Sequence, residues 1–353
     1  MNTFAPPPRP TDSRPPRLLS LEDVEAARRA LRGRVLRTPL LSAPVPGRPL
    51  WLKAENLQLT GSFKIRGAHH RLANTDRTEL ARGVVAHSSG NHAQAVAHAA
   101  GRLGIPAMIV MPDTAPRLKI EATRALGAEV VTAPADAYRR IAEEVAADRG
   151  TTVVSPFDDL LVMAGQGTVG LEIAEDLLAC QPGSAGEPTL LVPVGSGGLI
   201  AGVAVAAKSA IPGCRIVGVE PELAADAAES LRRGRRTGWT AARTGRTMAD
   251  GLRTPVLGEL TWEHIRRYVD AVLTVTEDEI RTAVAFLAGR ARLVAEPSGA
   301  VATAAFLHHS DRLPGTGPCV AVVSGGNVHP TDLGALLTEP VPPAPGPASD
   351  FPC

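Results

Sequence analysis

Residues 84–111, VVAHSSGNHAQAVAHAAGRLGIPAMIVM, decide the fold. A short apolar run, Val84-Val-Ala86, passes through a Ser-Gly-Asn junction into a helical stretch over 91–102. A second apolar run follows, Ala107-Met-Ile-Val-Met111. Two buried strands joined through one helix make a βαβ unit, and such units build parallel sheets. The rhythm continues with helical patterns over 116–126 and 136–148 and apolar runs at Val130-Val131 and Val153-Val154. A second series follows: Leu190-Leu-Val-Pro-Val194, Ile216-Val-Gly-Val219, Ala271-Val-Leu-Thr-Val275 and Val320-Ala-Val-Val323. Helical periodicity fills the gaps, notably over 277–290 and 299–307. No repeat of fixed period is present. The pattern predicts an α/β protein of two lobes, each a parallel sheet flanked by helices, with the ligand site in the cleft between them.

Composition narrows the function. The 353 residues suffice for two cores, and 44% hydrophobic content excludes a disordered chain. A net charge of +1 gives no electrostatic reason for nucleic acid or a membrane surface as partner. No apolar run reaches the roughly 18 residues needed to cross a bilayer, and the N-terminus lacks a signal segment. Four cysteines (Cys180, Cys214, Cys319, Cys353) form no CxxC pair. Cys214 and Cys319 head apolar runs and read as small buried thiols in a reducing cytoplasm.

Four segments carry chemistry. The first is Gly61-Ser-Phe-Lys-Ile-Arg-Gly-Ala68. An amine held beside an aromatic ring can carry an aldehyde as a Schiff base once it loses its proton, and burial or a neighbouring cation eases that loss. Phe63 is the apolar neighbour of Lys64 and Arg66 the nearby charge. The second is Gly195-Ser-Gly-Gly-Leu199, between a strand and a helix, where bare backbone amides and a helix N-terminus suit a phosphate. Ile200 stands where a dinucleotide fingerprint needs glycine or alanine, which argues against a nicotinamide cofactor. Third is His87-Ser-Ser-Gly-Asn-His-Ala-Gln94, whose hydroxyls, amide and helix N-terminus suit a carboxylate. Fourth is Ser324-Gly-Gly-Asn327, a hydroxyl in a turn after the last strand.

These segments resemble the serine/threonine dehydratase and serine racemase family of pyridoxal-phosphate enzymes. The resemblance runs from about residue 19 to 337. It includes Leu52 to Ala68, Ala164-Gly-Gln-Gly-Thr168, Ala249-Asp-Gly251 and Glu296-Pro-Ser-Gly299 in family order. It implies a tryptophan-synthase-β-like fold. A large cofactor-binding domain (17–80 and 156–338) would be joined to a small domain (81–155) that carries the substrate-carboxylate loop. Proline-rich tails at 1–16 and 339–353 are read as disordered, and no regulatory module is expected after Leu337. The resemblance assigns the Schiff base to Lys64, with Phe63 beside the ring. Asn91 would meet the phenolic oxygen, and Ser324 the pyridine nitrogen. Gly195, Ser196, Gly197, Gly198 and Leu199 would hold the phosphate. Ser88, Ser89, Asn91 and His92 would bind the substrate carboxylate. Ser196 and Ser155-Pro-Phe157 depart from the usual family residues.

The implied reaction is dehydration of L-threonine or L-serine to a 2-oxo acid and ammonia by a cytoplasmic homodimer. Other readings stay open. Ser89 opposite Lys64 would suit a serine racemase. A 3-hydroxyaspartate dehydratase would need a cation such as Arg66 or Arg139 for the second carboxylate. A non-catalytic amino-acid binder on the same fold would need neither Lys64 nor Ser324. The resemblance also implies a divalent-cation site at Glu220, Asp226 and the Ala224 carbonyl, suited to Mg²⁺ or Mn²⁺.

Overall fold

A strand covered on both faces needs an apolar side chain at nearly every position. Such strands dominate this protein, a computed structural model that describes residues 17–88, 90–115, 117–180 and 186–338. The expected tails lie outside the described residues, as do Ser89 and Cys353. The strands are β1 (Leu40–Ser42), β2 (Leu50–Ala54), β3 (Val84–His87), β4 (Ala107–Pro112) and β5 (Glu129–Ala133). They continue with β6 (Thr152–Val153), β7 (Thr189–Pro193), β8 (Arg215–Pro221), β9 (Ala271–Val275) and β10 (Cys319–Val323).

Two sheets form. The larger runs β1-β2-β10-β7-β8-β9 and the smaller β5-β4-β3-β6. Every pairing is parallel except β1 with β2. β10 lies between β2 and β7, with Cys319 beside both Leu50 and Thr189. Every residue of β7 and β10 is buried, so both read as unbroken apolar runs. Cys214 and Cys319 are buried thiols, whose pKa values burial pushes up to about 12 and about 11.

The expected helices form at Asn91–Leu103, Arg117–Ala125, Tyr138–Arg149 and Pro297–His309. The helix expected over 277–290 is α-helical only over Glu277–Phe286. It loosens to a π-turn at Leu287–Ala291, which Arg292 ends at φ 60°. The long helix Leu160–Cys180 is not legible in the sequence, because Gly165, Gly167 and Gly170 argue against a helix interior. Those glycines admit its neighbours. A Cβ at Gly165 would lie 2.7 Å from the Cα of Gly67, on the helix Lys64–Ala73. On the other side, a Cβ at Gly202 of the helix Gly198–Ala210 would lie 2.2 Å from the carbonyl oxygen of Met163. The long helix is therefore gripped on two sides by helices whose N-termini open on one cleft. Among the described residues, no helix is long and apolar enough to cross a membrane.

Candidate active site

Lys64 owes its place to a strained turn. Thr60 and Gly61 both have positive φ, 61° and 71°, and a Cβ at Gly61 would fall 2.3 Å from Asn327 Oδ1. That turn packs on the one leaving β10: Gly326 N–H donates to the Gly61 carbonyl and Phe63 N–H to the Ser324 carbonyl. Lys64 then begins the helix Lys64–Ala73 at the end of the large sheet. Its Nζ donates to the Pro156 carbonyl (2.8 Å) and lies 5.2 Å from the centre of the Phe63 ring. Burial lowers its pKa to about 8. A position at a helix N-terminus disfavours a cation in the same sense. Arg66 plays no part in that shift. Two residues further along the helix it is fully buried and bonded to Glu55 and Glu172, away from the cleft. The expected electrostatic help from Arg66, and its suggested role toward a second substrate carboxylate, are both corrected by this pairing.

The cleft gathers Phe63, Lys64, Ser88, Asn91, His92, Gly195, Ser196, Gly197, Gly198, Leu199 and Ser324 on its walls. The glycine loop turns at Gly197 (φ 92°) into the helix Gly198–Ala210. The first N–H groups of any helix lack an internal partner. The loop is braced from behind, where Thr261 Oγ1 donates to the Ser196 carbonyl (2.7 Å). Side chains are excluded there, since a Cβ at Gly197 would meet Ile265 at 2.8 Å. Ser324 Oγ is buried with a single long contact, 3.4 Å to the Ser298 carbonyl, which leaves hydrogen-bonding capacity unused.

Opposite, Ser88 Oγ accepts from the Gly90 N–H (3.2 Å), just before the helix Asn91–Leu103. Asn91 is clamped: its Nδ2 donates to Glu296 Oε1 (2.5 Å), and its Oδ1 accepts from Asn327 Nδ2 (2.9 Å). His92 is buried with Nε2 3.0 Å from the Val154 carbonyl. Burial, then Lys64, push its pKa down to about 3, so it is neutral.

Beside Arg139, already named as a candidate cation for a second carboxylate, several cleft residues escaped the sequence assignment. His87, Tyr138 and Arg139 form one rim, with His87 and Tyr138 edge to face at 6.0 Å. Burial, then Arg139, lower the His87 pKa to about 4. Lys119, from the small-sheet helix Arg117–Ala125, bonds Asp250, which sits before the glycine of Ala249-Asp-Gly251. Asp250 and Glu296 lie within motifs quoted above, so a signal for them existed. Glu296 is fully enclosed, and burial together with Asp250 raises its pKa to about 7.

The cleft fits pyridoxal phosphate on three counts: an amine with a depressed pKa for the aldehyde, a bare glycine loop at a helix N-terminus for the phosphate, and an under-used buried hydroxyl for the ring nitrogen. The chain's second anticipated site lies elsewhere. Glu220, at the end of β8, accepts from the N–H groups of Ala227 (3.0 Å) and Ala228 (2.8 Å). Asp226 is buried, and neither carboxylate oxygen has a hydrogen-bond partner. Burial and the neighbouring Asp226 raise the Glu220 pKa. Burial raises that of Asp226 to about 7. Two buried carboxylates, one with both oxygens orphaned, fit a hard divalent cation.

A family model described as "Pyridoxal-phosphate dependent enzyme" matches residues 31–325. The chain is 45% identical over 333 residues to the L-threonine ammonia-lyase of Thermotoga maritima, covering 91% of this chain and 79% of that protein. It is 41% identical over 329 residues to the catabolic L-threonine dehydratase of Staphylococcus aureus, covering 91% and 92%. Among solved structures, a threonine deaminase from T.th. superposes with a TM-score of 0.82 at 43% identity, covering 88% of this chain and 99% of that one. Maize serine racemase gives 0.82 at 34%, covering 90% and 97%.

Proposed function

The chain belongs to the pyridoxal-phosphate dependent enzyme family, and from that premise we propose that it is an L-threonine ammonia-lyase that also accepts L-serine. The supporting observation is the convergence of Lys64, the glycine loop and Ser324 on one cleft. Bound there, pyridoxal phosphate supplies an electron sink for the substrate's α-carbon. Lys64 would hold it, with the amides of 195–199 toward its phosphate, Asn91 toward its phenolic oxygen and Ser324 toward its ring nitrogen. A serine hydroxyl, unlike a carboxylate, does not keep a ring nitrogen protonated, which favours early loss of the β-hydroxyl. Ser88, Ser89 and the start of the helix Asn91–Leu103 receive the substrate carboxylate. His92, neutral and with Nε2 on the Val154 carbonyl, keeps a positive charge out of this wall and holds the start of the helix in place. Freed when the substrate's own amine takes its place on the cofactor, the Lys64 amine would take the α-proton. Loss of that proton and of the β-hydroxyl as water leaves an enamine, which hydrolyses to 2-oxobutanoate and ammonia.

Incubation of the purified holoenzyme with L-threonine and L-serine tests this. We expect 2-oxobutanoate and pyruvate, measured as 2-oxo acid. Cofactor binding with neither product would overturn the assignment, and D-serine formed from L-serine would favour the racemase through Ser89. A second reading is supported by Arg139, a cleft residue whose side chain forms no ion pair among the described residues. It suits a substrate with a second carboxylate, as in 3-hydroxyaspartate. A crystal structure of a pyridoxal-phosphate-dependent aspartate racemase, 33% identical, superposes at a TM-score of 0.79.

We further read 17–80 with 156–338 as the large domain and 81–155 as the small one, in keeping with the two sheets. A homodimer is supported by three exposed apolar side chains around one turn: Leu36 (46%), Leu57 (48%) and Val294 (49%). Gln58 bonds the backbone of Leu36, and Asn56 that of Val294. Free described cysteines are consistent with the cytoplasm.

We assign Glu220, Asp226 and the Ala224 carbonyl to a divalent cation of structural effect, since none of them lines the cleft. Mg²⁺ or Mn²⁺ at a hundredfold excess over its Kd should stabilise the protein by about 2.7 kcal/mol. Thermal unfolding with and without the metal should show that gain in the wild type and none in Asp226→Ala. An equal gain in both would sink the assignment.

A further inference from the structure

Away from the cleft, a cavity of about 390 Å³ is walled by Arg34, His69, His98 and Arg102, with Leu59 and Leu103. His69 is 2% exposed, and neither of its ring nitrogens has a partner; Nδ1 of His98 is also unmet. A neutral imidazole always carries one N–H to donate, and buried donors in folded proteins are nearly always met. The two rings stand edge to face at 5.5 Å. No carboxylate lines the cavity, and neither guanidinium has an ion pair among the described residues. Burial, then His98, Arg34 and Arg102, lower the His69 pKa to about 4.

We propose that this cavity binds a phosphate group, free or carried on a small monoester. Two exposed guanidiniums present forked donors that match a doubly charged oxyanion, and the half-buried His98 ring stands beside them with His69 enclosed behind it. A metal cation would meet two uncompensated positive charges there, so a histidine-ligated metal is disfavoured. The volume leaves room for a small organic group beside the phosphate. The placement gives the site its interest. His69 lies on the helix that Lys64 begins, and His98 and Arg102 lie on the helix that Asn91 begins. A phosphate here would tie together the far portions of both helices.

The test is calorimetric titration of the holoenzyme, whose glycine loop is already filled, with inorganic phosphate and with glycerol phosphate at constant ionic strength. We expect one saturable site per chain. Its affinity should fall by about tenfold or more in Arg34→Ala and in Arg102→Ala. Arg102→Lys, which keeps the charge and loses the fork, should fall between. Turnover without phosphate should be unchanged in all three, which also shows that they fold. Tighter binding of glycerol phosphate identifies a monoester as the ligand; equal binding identifies free phosphate. The proposal is overturned if phosphate fails to saturate the holoenzyme or if the arginine variants bind it as well as wild type does. It is equally overturned if Zn²⁺ binds in a manner lost in His69→Leu while phosphate does not bind.

Discussion

Lys64→Ala is expected to lower turnover of L-threonine by on the order of 10⁴-fold, since one substitution removes both the point of attachment and the base. The glycine loop and Ser324 are untouched by the change, so the cofactor should still bind, without the visible absorbance of its lysine linkage. Steady-state 2-oxo acid production and the visible spectrum read these two losses separately. Retained turnover would dismantle the assignment of the cleft. The variant also carries a thermodynamic signature. Burial lowers the Lys64 pKa from 10.5 to about 8 in the folded protein without cofactor. Between those values the unfolded chain binds the extra proton, so stability rises with pH across that window. Below about pH 8 both states are protonated and the folded state carries the full penalty. Urea unfolding of the cofactor-free protein at pH 8 and pH 10 should show the rise in wild type and a smaller one in Lys64→Ala. Equal slopes would mean that the amine is not held in an enclosed site.

Arg66→Met is expected to destabilise the fold by about 3–5 kcal/mol. Arg66 is wholly buried and bridges Glu55 and Glu172 through four contacts of 2.6–2.9 Å, with Thr168 Oγ1 at 3.1 Å. Lys53 supplies the second cation, bonding Glu172 and the Thr38 carbonyl, both at 2.7 Å. Without Arg66, the fully buried Glu55 loses its counterion. Arg66→Lys should recover only part of the loss, because one ammonium cannot fork onto two carboxylates. Burial alone would raise the Glu172 pKa, but Arg66 and then Lys53 overcome it and lower the value. The contribution of Glu172 is therefore present above the ordinary value of 4.5 and lost as pH falls below it. Denaturant unfolding at neutral pH measures the main effect, and a loss under about 1 kcal/mol would mean that the network contributes specificity rather than stability.

Arg66 also shows where sequence reading misleads. It lies two residues from Lys64, yet positions i and i+2 of a helix point to different faces, so adjacency in the chain became separation in space. The parallel strands were legible because burial on both faces forces unbroken apolar runs, as in β7 and β10. The short strand β1 and the lysine-bearing strand β2 carry no such signal. The segments of Lys64, the glycine loop and Ser324 stood out because each is a contiguous motif, the last two directly after a strand and the first at the start of a helix. Lys119 was not assigned to the cleft, and Arg139 was offered only as an unplaced candidate cation, because both come from helices of the small-sheet region. Their role depends on how the two sheets face each other, which no local pattern encodes. The cavity around His69 was hidden for the same reason: its walls are drawn from segments far apart in the chain.

The Lys119–Asp250 pair crosses the cleft. It joins a helix of the small-sheet region to a turn of the opposite wall, with side chains only 11% and 31% exposed. Any parting of the walls that admits an amino acid, or frees a 2-oxo acid, must first draw these two charges apart in a poorly hydrated place. Motions of that kind often limit turnover in enzymes whose chemistry is quick. On the proposed reaction the pair would act as a latch whose opening enters kcat beside the chemistry.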